Sequence, residues 1–598
     1  MHIVECYFEA IGFDHRLLRG GPAVYIWNLA QRFVAAGHRV SVVTASHGQL
    51  DLLREQHELR ELPYRHDHHL PLRLDPAVWG ALAHTDLPLQ TRVWHTQVQG
   101  VDFYLLDNEL LRRYPDSAYP PYESKGRDLG FHKPLAYQVD AIQFIRQHLL
   151  AEASEREPLL VHAHEPYYQY LLPLAFRDDA RVRLVSTVQS NMPVDKKVYR
   201  PKVEALLDFL GVPADLSAYE DPPLPTDPLH DCWRQALPRT HLHYAYPAGY
   251  MNLLAPLLEH SEQVDFLSPG QLDFYTGFRN TPFEDLYPRL GVARVMAAQR
   301  HKCFVGWCAL SDAWHAFDPA QVDRAAVLQG LGLDPARPTF FHNARYAVQH
   351  KGQVELMRAI ARVLEAGAEA NFIVRCISAT GIAHDEFHAI QARFPERLQL
   401  QWQMVPEARL MELAAACEYA LFPSKFEMDT FLIAQGEAMR VGAVPIGTLQ
   451  CGTLHFEHNR PLHDPEATGL ALPRSFAEDD RWLEDALVAR IQQALQIWQT
   501  EPATYQRLRA NARRVAARFT WERAAQAHLQ AFLNPPRPTL RGVSLFSRAP
   551  GQPGFDEQAL PLAANGGFTL PPAGPAQQRV LRTTHASGRV QWEALSDA

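Results

Sequence analysis

Apolar positions recur along this chain with two periods. Residues 2–8 form a short apolar run, Ile3-Val4 and Cys6-Tyr7-Phe8 around a single Glu5, which predicts a strand. Over 23–36, Ala23, Trp27, Ala30 and Val34 fall at i, i+4, i+7 and i+11, one face of a helix, and Gly37 is placed to end it. Residues 40–44 predict the next strand, and 159–163, 183–188 and 264–268 repeat the pattern. A second alternating region opens near 338, with strands over 339–344, 371–376, 398–402 and 418–422. The helix after Gly352 carries Val354, Met357, Ala361 and Leu364 on one face, and further helices fall near 407–416 and 432–441. Thr520 can cap a helix that keeps Trp521, Ala525, His528/Leu529 and Phe532 at helical spacing.

Strand–helix alternation argues for parallel sheets covered by helices. The expected fold class is α/β, with two doubly wound, Rossmann-like domains facing across a cleft. The expected division is 1–308 for an N-terminal domain, 309–337 for a connection, and 338–504 for a C-terminal domain. Helices over 505–534 are expected to pack back on the first domain. Residues 535–598, rich in Pro, Gly and Ala, are expected to be largely disordered, with room for a strand pair within 579–593.

Composition narrows the functions. The 598 residues are 47% hydrophobic and 21% charged, as in ordinary globular chains. A net charge of −9 argues against bulk nucleic-acid or anionic-membrane binding, yet leaves room for a local basic cleft. No run of 18 apolar residues predicts a membrane span and no targeting segment is visible, so the expected location is cytoplasmic. The seven cysteines form no CxxC pair, and buried reduced thiols are expected.

Candidate chemistry clusters at strand ends, where α/β sheets bind ligands. Gly20-Gly21 joins the first strand to its helix, a turn whose backbone N–H groups can approach a phosphate. His162-Ala163-His164-Glu165 closes the 159–163 strand. Arg345 and Lys351 flank a loop before Gly352, where two cations could hold a diphosphate leaving group. Glu427, Asp429 and Glu437 head a loop–helix unit and could accept hydrogen bonds from sugar and ribose hydroxyls. His66-Asp67-His68-His69 suggests a metal, but no complementary ligands are in view, and none is expected.

Taken together, these pieces resemble the bacterial glycogen and starch synthases, glycosyltransferases of GT-B fold. The resemblance covers nearly all of 1–534. Its carriers are Gly20-Gly21, Ala36-Gly37-His38-Arg39-Val40, the Gly100–Asn108 stretch, Val161-His162-Ala163-His164-Glu165 and Ser268-Pro269. Pro423-Ser424-Lys425-Phe426-Glu427, Glu437-Ala438-Met439-Arg440, Ala467-Thr468-Gly469-Leu470 and Phe519-Thr520-Trp521-Glu522 complete the set.

The resemblance implies retaining transfer of glucose from a nucleotide-glucose to the non-reducing 4-hydroxyl of an α-glucan or oligosaccharide. ADP-glucose is favoured over UDP-glucose, and no cofactor or metal is obligatory. By resemblance, Arg345 and Lys351 would hold the diphosphate, and His164 would lie by the anomeric carbon. Arg19, Gly20, Gly21 and the Gly452-Thr453-Leu454 backbone would approach the phosphates. Glu427 or Asp429 would bind donor-sugar hydroxyls, and Glu437 the ribose. The chain departs from the family pattern at Leu18 (for lysine), Val24 (for aspartate) and Thr187-Val188-Gln189-Ser190 (for T-I-H-N). Its 427–432 turn is two residues longer before Glu437. These departures motivate two alternatives, a GT-B enzyme with another donor sugar or a small acceptor, and a catalytically degenerate glucan-binding protein.

Overall fold

The computed structural model describes residues 1–14, 16–17, 20–115, 126–190, 197–220, 249–277, 288, 290–378, 384–427, 429–535, 540–548, 556–561, 578–585 and 590–595. Two parallel sheets organise most of them. The first is formed by β1 (His2–Cys6), β2 (Arg39–Ala45), β3 (Arg60–Arg73), β4 (His84–Val98), β5 (Val101–Asp107), β6 (Leu159–His164), β7 (Val182–Val188), β10 (Gln263–Phe266) and β11 (Cys303–Val305). A separate two-stranded hairpin pairs β8 (Lys197–Tyr199) with β9 (Tyr250–Asn252). The large sheet runs β11-β10-β7-β6-β1-β2-β5-β4-β3, parallel from β11 to β5. The long β3–β4 hairpin extends its far edge antiparallel. From the sequence, the segment 60–73 is not expected to be a strand. Its pattern is the alternation of a one-sided strand, in which Leu62, Tyr64, Leu70 and Leu72 turn inward.

The second sheet is all parallel: β12 (Thr339–Arg345), β13 (Asn371–Ile377), β14 (Leu398–Gln401), β15 (Tyr419–Phe422), β16 (Val444–Thr448) and β17 (Leu470–Leu472). Its order is β14-β13-β12-β15-β16-β17. The expected strands and helices of this region all form, with ends shifted by one or two residues.

Helix boundaries have local causes. The Gly21–Ala35 helix begins with Pro22 in its first turn, where a missing N–H costs nothing, and Gly37 follows it at a φ of 85°. Thr520 Oγ1 accepts from Arg523 N to cap the Trp521–Leu533 helix. That last helix lies on the first sheet's layer. Arg183 Nη2 donates to Phe532 O at 2.6 Å and Gln263 Nε2 to Ala531 O at 2.8 Å. Tyr25, Phe33, Trp521 and Phe532 join one buried apolar cluster with residues of both sheets.

Beyond residue 539 the expectation of a largely disordered extension is corrected. The described residues form a four-stranded antiparallel sheet, β19-β18-β20-β21, from Leu540–Arg548, Asp556–Leu560, Gln578–His585 and Val590–Leu595. Alternating Val543 and Leu545, with Leu560 and Leu581, close a small core that the Pro- and Gly-rich composition around it obscures. Among the described residues no helix is long and apolar enough to cross a membrane.

Candidate active site

The carboxyl ends of the two parallel sheets are joined through a few residues. Ser268 Oγ, just after β10, donates to Thr430 O at 2.7 Å. Thr430 Oγ1 donates to Gln189 O, just after β7, at 3.0 Å. A methyl group added at Gly270 would lie 1.6 Å from Cys451 O, so the helix starting at Pro269 sits directly on the Cys451–Phe456 turn. Residues after β7 and β10 thus meet residues after β15 and β16.

On the second sheet's side, β12 ends in exposed Arg345, whose Nη2 lies 3.2 Å from His350 Nδ1. Lys351 is buried, and its Nζ donates to Asp429 Oδ1 at 2.5 Å. Gly352 makes this possible: its φ is 58°, and a methyl group there would lie 2.1 Å from Pro423 O. Burial alone would raise the Asp429 carboxyl, but the Lys351 ammonium and His350 outweigh it and hold it far below the ordinary carboxylate range. Burial and the neighbouring Lys351 lower His350 to about 4, so its ring is neutral near pH 7.

Glu427 is committed differently. Arg474 Nε donates to Oε1 at 2.5 Å and Cys451 N to Oε2 at 2.8 Å. Burial pushes its carboxyl up against the pull of Arg474. Glu427 therefore orders the turn that carries Gly452, Thr453 and Leu454. Gly452 packs against Asp429 O, which a methyl group there would approach to 2.0 Å. Lys425 is a fully buried ion-pair partner of Glu355 at 2.6 Å.

Glu437 stands half-buried on the Ile433–Val441 helix. Burial, then the charge of Glu407, push its carboxyl up to about 8. Among the described residues no hydrogen bond or ion pair ties it to Lys351, Glu427 or Asp429.

On the first sheet's side, Gly20 precedes its helix beside Glu9, whose Oε1 would lie 3.1 Å from a methyl group there, while Gly21 faces open space. Arg19 lies outside the described residues. His164 is wholly buried at the end of β6: Nε2 donates to Glu5 Oε2 at 2.5 Å, and Nδ1 lies 3.4 Å from Gln189 Nε2. Burial lowers its ring to about 4. Burial would raise Glu5, but the His162 and His164 rings hold it below the usual range.

Behind His164 runs a buried polar chain. His162 lies 3.2 Å from Glu5 Oε1 and 2.7 Å from Thr187 Oγ1. Thr187 donates to Asp265 Oδ2 at 3.0 Å, and His528 Nε2 lies 3.1 Å from the same oxygen.

Glu5, Gln189, Thr430, Arg474, Asp265 and His528 went unread as site residues. Glu5 had a signal, a lone carboxylate inside an apolar strand; it pairs in register with His162. The others become neighbours only through the fold.

Residues 15–219 match the family model for the starch synthase catalytic domain. No curated protein matches the chain. Among solved structures, the catalytic domain of starch synthase IV from Arabidopsis thaliana is similar at 16% identity and a TM-score of 0.60, over 89% of this chain and 98% of that one. An α,α-trehalose-phosphate synthase from Burkholderia xenovorans is similar at 10% identity and a TM-score of 0.50, over 89% and 99%. Paired parallel sheets facing at their carboxyl ends give the chain the GT-B fold of these glycosyltransferase structures, and its residues 15–219 are similar to the starch synthase catalytic domain.

Proposed function

We propose that the chain is a retaining glucosyltransferase that moves glucose from a nucleotide-glucose to the non-reducing 4-hydroxyl of an α-1,4-glucan. One observation carries this reading. Thr430, next to Asp429, bonds Gln189, the neighbour of His164, so Lys351 and His164 belong to opposite walls of one cleft. Arg345 and Lys351 would receive the diphosphate. As the glucosyl–phosphate bond breaks, its electrons pass to the nucleoside diphosphate, and fixed cations stabilise that charge. The acceptor hydroxyl oxygen bonds the anomeric carbon, and its proton passes to the oxygen of the departing diphosphate.

Asp429 Oδ2 is buried without a hydrogen-bond partner among the described residues. We assign the donor-sugar hydroxyl to it, with Asp429 Oδ1 also orienting Lys351. Glu437 would hold the ribose. The donor favoured is ADP-glucose, because the Arabidopsis relative is bound to ADP and acarbose.

Initial rates with ADP-glucose and UDP-glucose, each with and without glycogen, test the reading. Glycogen-dependent release of nucleoside diphosphate with polymer growth, lost in Lys351→Ala, is expected. No release with either donor would sink it. A second reading, another donor sugar, is favoured by the tie of Glu427 to Arg474; sugar-dependent release with a different donor would select it.

A further inference from the structure

The inward positions of β3 read Leu62, Tyr64, His66, His68, Leu70 and Leu72, an apolar stripe broken by two imidazoles. Facing them, the Lys133–Gln147 helix buries Asp140 completely. His66 Nδ1 lies 3.3 Å and His68 Nε2 3.7 Å from one oxygen, Asp140 Oδ1. One ligand atom from each of the three residues lies within 4.8 Å of the other two.

The surroundings fix each group. Asp140 Oδ2 accepts from Thr91 Oγ1 and Asn108 Nδ2, both at 2.8 Å, which aims Oδ1 at the histidines. Asn108 is itself pinned, its Oδ1 accepting from Leu110 N and Leu111 N. His68 Nδ1 lies 3.4 Å from His66 O, a carbonyl that only accepts, so Nδ1 carries the proton of the neutral ring. His68 Nε2 then presents a lone pair. The His68 side chain is 4% exposed, and Nε2 has no hydrogen-bond partner.

A buried lone pair on His68 therefore faces a buried carboxylate oxygen that His66 Nδ1 alone approaches within hydrogen-bond distance, an arrangement that a cation stabilises. An imidazole with one nitrogen bonded to a backbone carbonyl and the other bare has the orientation that metal ligands take. The buried sets Glu5/His162/His164 and His162/Asp265/His528 differ, because both nitrogens of each histidine there meet protein partners.

We infer that His66, His68 and Asp140 bind one divalent transition-metal ion. Two imidazoles and a carboxylate suit zinc, with a fourth position left for water. The His66 side chain, 16% exposed, gives the ion its way in. The ion would fasten the β3–β4 edge hairpin to the Lys133–Gln147 helix, apart from the transfer chemistry.

The test uses the tag-free full chain after chelator treatment. Zn²⁺ is titrated in competition with a chromophoric chelator, and Co²⁺ is read by visible absorption. One equivalent is expected to bind and to raise the melting temperature. His68→Gln should abolish both effects, and Thr91→Val should weaken binding about 10–100-fold by freeing the carboxylate. Should His68→Gln fail to fold by circular dichroism, His66→Gln at the more exposed ring takes its place. No stoichiometric uptake by the parent chain, or unchanged affinity in the histidine variant, overturns the inference.

Discussion

Lys351 Nζ and Asp429 Oδ1 stand 2.5 Å apart in a buried pair. The chain thus holds ready, against a carboxylate of its own, a cation assigned to the diphosphate. Removing one partner of a buried pair costs about 3–5 kcal/mol, because the other charge is stranded. Lys351→Ala is expected to lose that much in urea denaturation. Adding Asp429→Asn should return most of the stability and none of the glucosyl transfer.

The same pair sets an acid limit. The Asp429 carboxyl is depressed in the folded state, so its stabilisation is present above the unfolded value of about 3.9 and fades as pH falls below it. Denaturation midpoints should drop more steeply below pH ~4 in the parent chain than in the Lys351→Met/Asp429→Asn variant.

Glu437 works in the opposite sense. Its folded value is raised to about 8, so the folded state holds a proton that the unfolded chain has released. Stability linked to it is present at low pH and declines as pH rises from about 4.3 through 8. Glu437→Gln should flatten that decline in melting temperature between pH 5 and 8.5. If the carboxylate holds the ribose, the same variant should raise KM for the donor.

Glu5 fixes His164 through a 2.5 Å hydrogen bond from the neighbouring strand. An amide keeps the shape but offers only one accepting oxygen to two rings. Glu5→Gln is expected to lower kcat at least about tenfold while leaving donor KM nearly unchanged, since each 1.4 kcal/mol of lost transition-state stabilisation is tenfold. An unchanged kcat would remove Glu5 from the positioning of His164.

Gly352 allows no side chain. With a φ of 58° and Pro423 O 2.1 Å from an added methyl, Gly352→Ala must part the two loops. Left-handed backbone strain of order 1–3 kcal/mol adds to that clash. Lower thermal stability with weakened donor binding, measured by calorimetry, is expected.

The doubly wound parts of the fold were legible because β-runs and amphipathic helices alternate there with short connections. Glu427 and Asp429 were named from their spacing, but spacing could not say which one would face Lys351 and which Arg474. That division depends on left-handed backbone at Phe426 and Glu427. The β3–β4 hairpin was missed because its inward histidines break the apolar stripe that marks a strand. The buried chain from His164 to His528 was invisible for another reason. It joins residues whose separations run from 25 to 263 positions, and no local pattern reports such pairings.

The seat of the Trp521–Leu533 helix has a consequence for biosynthesis. Asp265 and His162 belong to the first sheet, yet their last buried partner, His528, is translated only after the second sheet. While the ribosome is still making the second sheet, the first must wait with an unfinished polar interior and an uncovered apolar surface around Phe33 and Tyr25. Maturation of the amino-terminal half therefore waits for the Trp521–Leu533 helix, and a nascent chain stalled before residue 521 is a client for chaperones.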